Sequence, residues 1–244
     1  MRVRVGLENG IEGRSLAWAL DYPGCFSYGQ DGADALINFP MALVRHKNWV
    51  DSHLQDSWMT DLKDFDVRLE EVFECYNIDK EYNPVESDIE INAWFRNDWK
   101  PLSDLEVQRG MLLLTWSREE LLDLVQGLPG DVLNLEHPGE RWTIRGIVRH
   151  IANAEHWVLS RFSLEEQLRS ALPEEMLPRL EVVRQNVYRV LDKMAGDRTV
   201  IGVMGEFWSP RKFLRRLLWH EMDHIQHIQK LAYPPGGLSI SLGR

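Results

Sequence analysis

The spacing of apolar side chains changes character near residue 100 of this chain. Before it, short runs alternate between apolar and polar residues with the period of two that is typical of strands. After it, apolar residues recur every three or four positions, which is the period of an amphipathic helix. The sequence therefore predicts an α+β protein of two domains, a small α/β domain at residues 1–98 and a helical domain at residues 99–244.

The first domain is predicted to contain several strands and one helix. Its strands are short runs of alternating or β-branched residues, separated by turn-forming residues. The predicted elements in chain order are extended runs at 2–7, 15–20 and the end of 22–29, a helix from Asp31 or Ala33 to about Trp49, and extended runs at 67–78 and 88–95 on either side of a turn at 81–84.

The second domain is predicted to consist of four long helices. Pro101 and Ser103 mark the start of the first of these helices. Thr143 and Ser209 are the predicted N-cap residues of the second and the fourth. Clusters of Gly and Pro separate the helices. The predicted helices are about 103–125, 143–170, 173–194 and 209–231.

His220, Glu221 and His224 form a His-Glu-x-x-His motif in the last predicted helix. Histidines four residues apart point the same way from a helix, and Leu217 and Ile228 place their stripe toward a core. Burying two neutral imidazoles costs free energy unless each finds a partner, and one divalent cation satisfies both. The spacing therefore predicts a pair of metal ligands.

The same motif suggests a zinc peptidase with Glu221 as its general base. No Asp or Glu follows His224, and the longer histidine-rich signature needs Gly at His227 and His at Lys230. Glu221 is also expected about 100° around the helix from His220, as an exposed partner for arginine without a catalytic role. A peptidase is therefore the less favoured hypothesis.

The third ligand is predicted to come from the second helix of this domain. His150 shares a helix face with Ile147 and Trp157, whereas His156 lies about 120° away, toward solvent. Trp157 and Arg161 are expected either to line a pocket beside His150 or to fill the core. The predicted metal ligands are His150, His220 and His224.

The other histidines have weaker claims. His227 lies on the stripe of His220 and His224 and is an alternative ligand. A purely structural alternative for the three predicted ligands is that they bridge helices through backbone carbonyls. The histidines in loop or first-domain sequence are predicted to be solvated, namely His46, His53 and His137.

The order of these features resembles the DinB-like metalloprotein superfamily over about residues 100–233. The resemblance rests on the helix start Trp142-Thr143 that leads to His150, a third helix, and His-x-x-x-His on a fourth helix. It implies an up-down-down-up four-helix bundle with a divalent metal on His150, His220 and His224. It further implies a transferase or hydrolase that activates water or a low-molecular-weight thiol, and it makes a homodimer through helices plausible.

The run Leu20–Gly29, followed by a helix rich in Ala and Leu, resembles the HicB-like antitoxin fold. The resemblance implies the fold of the first domain only. Neither the DNA-binding domain nor the toxin that often accompanies that fold is visible here, so an antitoxin role is not expected.

Composition narrows the expected partners. The chain has 28 basic and 38 acidic residues and a net charge of -10, which disfavours nucleic acid. It has only two cysteines and lacks both a signal-peptide core and a run of about 20 apolar residues, so a cytoplasmic protein without a membrane span is expected. The expected partner is a small-molecule substrate or a low-molecular-weight thiol. Zinc is the first choice of metal, and nickel, iron or manganese are alternatives.

Two classes of function remain open. One is a metal-dependent enzyme, and the other is a non-catalytic binding or stress-response protein in which a metal staples the helices and the first domain recognises a partner. An open metal site beside a cavity favours the enzyme, whereas a closed site with four ligands favours the binding protein.

Overall fold

The computed structural model describes residues 1–60 and 62–234. Asp61 and residues 235–244, the end of the predicted second domain, lie outside the described residues. The described part contains an N-terminal sheet and six α-helices, so the α+β class is confirmed. Within these two ranges, every helix is too short or too polar to cross a membrane.

The N-terminal sheet is built from β1 (Arg2–Ile11), β2 (Arg14–Ala19), β3 (Phe26–Gly29) and β4 (Asp66–Glu74), with helix α1 (Gly32–His53) between β3 and β4. The strand order is β3-β2-β1-β4. β1 pairs antiparallel with β2 and parallel with β4, so α1 provides the crossover that a parallel pair requires. The side chain of Asp31 caps α1 by accepting a hydrogen bond from Asp34 N.

A smaller antiparallel sheet follows, formed by β5 (Tyr76–Ile78), β6 (Pro84–Val85) and β7 (Ile89–Ile91). The extended run predicted at 67–78 is thus divided at Cys75 between two sheets, and the run at 88–95 keeps only β7 as a strand. The buried carboxylate of Glu8 accepts hydrogen bonds from Cys75 Sγ at 3.6 Å and from Ala93 N at 2.7 Å. The Glu8 side chain of β1 therefore connects the N-terminal sheet to the residue before β5 and to a residue just after β7.

The C-terminal part contains α2 (Asp104–Gln126), the short α3 (Gly130–Leu133), α4 (Ile144–Ser160), α5 (Met176–Leu191) and α6 (Pro210–Ala232), with a hairpin of β8 (Ile201–Val203) and β9 (Glu206–Trp208) before α6. Ser103, Thr143 and Ser209 cap α2, α4 and α6 by accepting a hydrogen bond from the backbone N–H three residues later. The three capped helix starts predicted from the sequence are confirmed.

The predicted length of the second helix is wrong. α4 ends at Ser160, about ten residues before the predicted end, and Ser163 takes a left-handed φ of 55°. Asn186 of α5 accepts a hydrogen bond from Glu166 N and donates one to Leu164 O. These bonds fix the loop after α4 against α5. A longer α4 would have carried the same residues away from α5.

The four long helices of the C-terminal part are α2, α4, α5 and α6. Among them, α2 packs against α6, and α4 packs against α5 and α6. Gly110 of α2 lies close to α6, because a Cβ at this position would come within 2.7 Å of Leu214 Cδ2. One buried apolar cluster joins α1 and the N-terminal sheet to these helices, and its members include Phe39, Leu43 and Leu113. The helices α4 and α6 are therefore supported both by neighbouring helices and by the N-terminal sheet.

Candidate metal centre

Three histidines from two helices converge in the described structure. His150 lies on α4, and His220 and His224 lie about one turn apart on α6. Each offers one ring nitrogen, and these three nitrogens lie within 4.8 Å of one another. The Nε2 atoms of His150 and His220 are 3.0 Å apart. The structure thus brings together the three histidines that the sequence singled out.

The start of α4 orients the ring of His150. The indole of Trp142 stacks on this ring, with centroids 4.4 Å apart and an interplanar angle of 23°. A Cβ at Gly146 would lie 2.9 Å from Trp142 Cβ, so a side chain there would push the indole away. Thr143 caps the helix one residue after this indole. The Trp-Thr helix start therefore helps to position a histidine of the site.

Burial keeps the three imidazoles neutral. It lowers the pKa of His220 well below 6.5, and together with the charges of neighbouring histidines it lowers the pKa of His224 to about 3. Burial, followed by the charges of two nearby arginines, also lowers the pKa of His150. At neutral pH each ring therefore has a lone pair available for a metal ion.

The arrangement fits a small divalent cation. Nδ1 of His224 is buried and has no hydrogen-bond partner among the described residues. Metal–nitrogen bonds of about 2.0–2.1 Å in a tetrahedral site place ligand nitrogens about 3.3 Å apart, close to the separation between His150 and His220. No acidic residue or cysteine in the described ranges joins the group. Three imidazoles alone would leave one position of a four-coordinate ion open.

His227, the alternative ligand, lies at the edge of this group. Its ring centroid is 6.0 Å from that of His224, and its Nε2 is 3.0 Å from Oε2 of Glu140. It does not belong to the cluster of three converging nitrogens. Its observed partner is therefore a carboxylate in the loop before α4.

Glu221 is fully buried, so the prediction of an exposed acid is wrong. Its Oε1 accepts a hydrogen bond from Arg118 Nε at 2.6 Å, and its Oε2 accepts one from Arg184 Nη2 at 2.8 Å and one from Ser117 Oγ. Glu155 accepts hydrogen bonds from the same two arginines. This buried charge cluster takes one charged residue from each of α2, α4, α5 and α6.

The charge cluster also argues against a peptidase. Burial alone would favour the protonated acid, but the charges of Arg118 and Arg184 hold the pKa of Glu221 well below its usual range. A general base needs a carboxylate that can reach the proton it removes. Both oxygens of Glu221 already accept hydrogen bonds. The donors lie on α2 and α5, and the His-Glu-x-x-His motif of α6 does not indicate them.

Two other histidines are buried where the sequence predicted solvent. His156 is 8% exposed, and its Nε2 lies 2.8 Å from Gln167 O because the loop after α4 folds back over it. His46 of α1 is 6% exposed, because the C-terminal helices cover its face of α1. His53 is exposed, as predicted, whereas His137 is half-buried.

A small cavity lies beside His220, between α4 and α6. Its volume is about 40 Å³, and Trp157 and Arg216 form part of its wall. Trp157 is 42% exposed, so it lines this pocket and does not fill the core. The guanidinium of Arg161 lies 4.6 Å from the Trp157 ring centroid. The cavity has room for a few ligand atoms next to a metal ligand.

The N-terminal sheet approaches the same region. Trp219 of α6 packs against Trp18 of β2, with centroids 5.6 Å apart, and its Nε1 donates a hydrogen bond to Tyr28 Oη at 2.9 Å. Glu12, in the turn between β1 and β2, is close enough for its negative charge to oppose the lowering of the His150 pKa by burial and by arginine. The first hundred residues therefore contribute to the surroundings of the site.

Comparison with known proteins points to the same segment. The family model of the DinB superfamily matches residues 113–228, which contain the three histidines and the buried charge cluster. This part of the chain is therefore DinB-like, as its helix order and histidine placement predicted. Searches of the curated proteins and of the solved structures gave no significant match. The HicB-like character of residues 1–98 stays a prediction.

Proposed function

We propose that the protein is a metal-dependent enzyme, a transferase or hydrolase, in which His150, His220 and His224 hold one divalent transition metal ion. One position stays open for water or for the sulfur of a low-molecular-weight thiol. The observation that carries the proposal is the convergence of three neutral imidazoles, without a fourth protein ligand in the described residues, beside a cavity that His220 lines. Zinc is the expected metal, with nickel, iron or manganese as alternatives.

The surrounding residues have definable tasks in this proposal. A bound divalent ion would lower the pKa of a bound water toward about 7 or polarise a thiol or carbonyl. Trp142 keeps the His150 ring in one orientation through stacking. Glu221 ties α6 to α2 and α5, so His220 and His224 need no large rearrangement to act as ligands. Trp157 and Arg216 shape the space in which a substrate would lie.

Two finer structural features belong to the same proposal. The four long helices would form the up-down-down-up bundle of the DinB-like superfamily, and residues 1–98 would form a HicB-like domain without an antitoxin role. The first domain would help to hold α6 in place next to the site, and the contacts of Trp219 with Trp18 and Tyr28 are the observation behind this role. The partner of the site would be a small molecule.

Cobalt substitution tests the open position. The full chain is stripped of metal, loaded with Co²⁺ and titrated with 2-mercaptoethanol while the absorption spectrum is recorded. We expect one cobalt per chain and a thiolate-to-cobalt charge-transfer band that His220→Ala removes. His227→Ala is the matched control on the same helix and should keep the band. A loaded site whose spectrum is unchanged by thiol would favour the non-catalytic alternative, in which the metal only staples the helices.

A further inference from the structure

Arg216 is a half-buried arginine that differs from the other arginines near the site. It lies on α6, four residues before His220, and its Nη1 is buried without a hydrogen-bond partner among the described residues. The neighbouring Arg118, Arg184 and Arg215 each pair with a buried carboxylate. Leaving a guanidinium N–H buried and unpaired costs free energy, so Arg216 has hydrogen-bonding capacity to offer a ligand.

The cavity beside His220 gives Arg216 access to such a ligand. Arg216 and His220 both line this cavity of about 40 Å³, and its other walls include Trp157 and Ala154. Residues four apart on a helix are separated by about 6 Å along the axis. A ligand atom near Arg216 is therefore only a few bonds away from one that reaches the proposed metal position.

The guanidinium of Arg216 is held in place before any ligand arrives. Its Cζ lies 4.3 Å from the ring centroid of Trp219, and Trp219 is itself fixed by its hydrogen bond to Tyr28. An arginine stacked in this way loses little side-chain entropy on binding, and its N–H groups match a planar anion such as a carboxylate.

A carboxylate of the protein also borders the cavity. Glu155 lines it, and its Oε2 is buried without a hydrogen-bond partner among the described residues. The charge of Glu155 is already balanced, because its Oε1 accepts hydrogen bonds from Arg118 and Arg184. Among the residues that the structure describes, Arg216 is therefore the charged side chain of this cavity without an ion-pair partner, and Glu155 would accept a hydrogen bond from a ligand donor.

We infer that Arg216 forms an anion subsite of the metal centre, and that the substrate carries a carboxylate within a few bonds of the atom that meets the metal. This inference rests on the proposed function and narrows its substrate class to small anionic molecules. The carboxylate would accept hydrogen bonds from Arg216, and its charge would replace the missing counter-ion. For a thiol substrate, the carboxylate would fix the direction from which the sulfur approaches.

Two small thiols of similar size test the inference, mercaptoacetate with a carboxylate and 2-mercaptoethanol with a hydroxyl. Their dissociation constants are measured on the cobalt-loaded full chain by absorption. We expect wild type to bind mercaptoacetate more tightly by ~10-fold or more, and Arg216→Gln to reduce this preference to ~2-fold while its cobalt content stays at one per chain. Arg216→Lys, which keeps the charge, should show an intermediate preference. Arg145→Gln is the matched control, because it removes an arginine of α4 that donates a hydrogen bond to Asn134 and lies outside the cavity wall, and it should keep the preference.

The possible results separate the two proposals. Equal affinities in wild type, or a preference that survives in both Arg216 variants because mercaptoacetate chelates the metal by itself, would overturn the anion subsite and leave the metal centre intact. Failure of wild type to bind cobalt would overturn the metal centre and the subsite together. If Arg216→Gln does not fold, Arg216→Lys decides by the same comparison.

Discussion

Arg184 Nη2 donates a hydrogen bond to Glu221 Oε2 at 2.8 Å, and both side chains are 1% exposed. Glu221 directly follows His220, so this contact connects α5 to the turn of α6 that carries the metal ligands. Arg118 and Glu155 complete the cluster with two positive and two negative groups. The cluster is electrically balanced only while all four members are present.

Removing one member should therefore be strongly destabilising. We expect Glu221→Gln and Arg184→Met each to lower the free energy of unfolding by about 3–5 kcal/mol, because a buried charge loses its partner. Urea unfolding followed by circular dichroism measures this. The matched control is Arg189→Met on the same helix, whose ion pair with Glu166 is half exposed and screened by solvent, so its loss should change stability far less. Equal effects at both positions would contradict the account.

The sequence predicted the three histidines because each lies on the apolar stripe of one helix, where spacing alone defines the face. It failed for Glu221 because α6 is enclosed on more than one side, so a residue about 100° from His220 meets other helices. The partners of Glu221 lie more than 30 residues away in the chain, on α2 and α5. A pattern within one helix cannot reveal contacts of that kind.

The two misassigned histidines have different origins. His46 lies on the apolar stripe of α1 with Phe39, Leu43 and Val50, so the pattern of its own helix already indicates burial. His156 lies about 120° from His150 on α4, and a second layer of the structure covers it. For His156 this layer is the loop after α4, where Asn186 of α5 holds the backbone. Local patterns predicted the helix types and most of their starts, whereas the burial of His156 depends on tertiary contacts.

The close approach of α2 and α6 predicts a second stability effect. Gly110→Ala should lower the free energy of unfolding by about 1–3 kcal/mol, because the new Cβ would overlap the buried Leu214 side chain. Gly130→Ala is the matched control, since a Cβ there meets no atom within 4 Å, and it should change stability by less than about 1 kcal/mol. Thermal unfolding compares the two variants, and a neutral Gly110→Ala would show that the helices can separate freely at this point.

His46 predicts a pH dependence of stability. Burial lowers its pKa from 6.5 to about 4, so between these values the unfolded chain binds a proton that the folded chain does not. The stability present above pH 6.5 should therefore decrease as the pH falls toward about 4, with His46 contributing up to about 3 kcal/mol.

His46→Phe keeps an aromatic ring but removes this titration. The variant should lose less stability than wild type between pH 7 and about 4, and the difference isolates His46 from the other buried histidines. Urea unfolding at a series of pH values provides the measurement. Identical pH profiles for the two proteins would mean that His46 reaches solvent before the protein unfolds.

The position of His227 predicts that it is dispensable for the metal. Its Nε2 is 3.0 Å from the Glu140 carboxylate, and both side chains are about one-third exposed. His227→Ala should therefore reduce metal affinity by less than about 10-fold, whereas His150→Ala removes one of the three converging ligands and should reduce it far more. Competition with a chromophoric chelator measures both affinities. A comparable loss in the two variants would make His227 a ligand.

The most direct test of the central claim is the metal content of protein purified without a metal-affinity column. Elemental analysis of wild type should find about one divalent transition metal ion per chain, and the His220→Ala/His224→Ala variant should contain none while remaining folded by circular dichroism. A wild type without metal that also fails to take up added zinc, nickel, iron or manganese would contradict the account. It would mean that the three histidines are buried polar residues of a helical core.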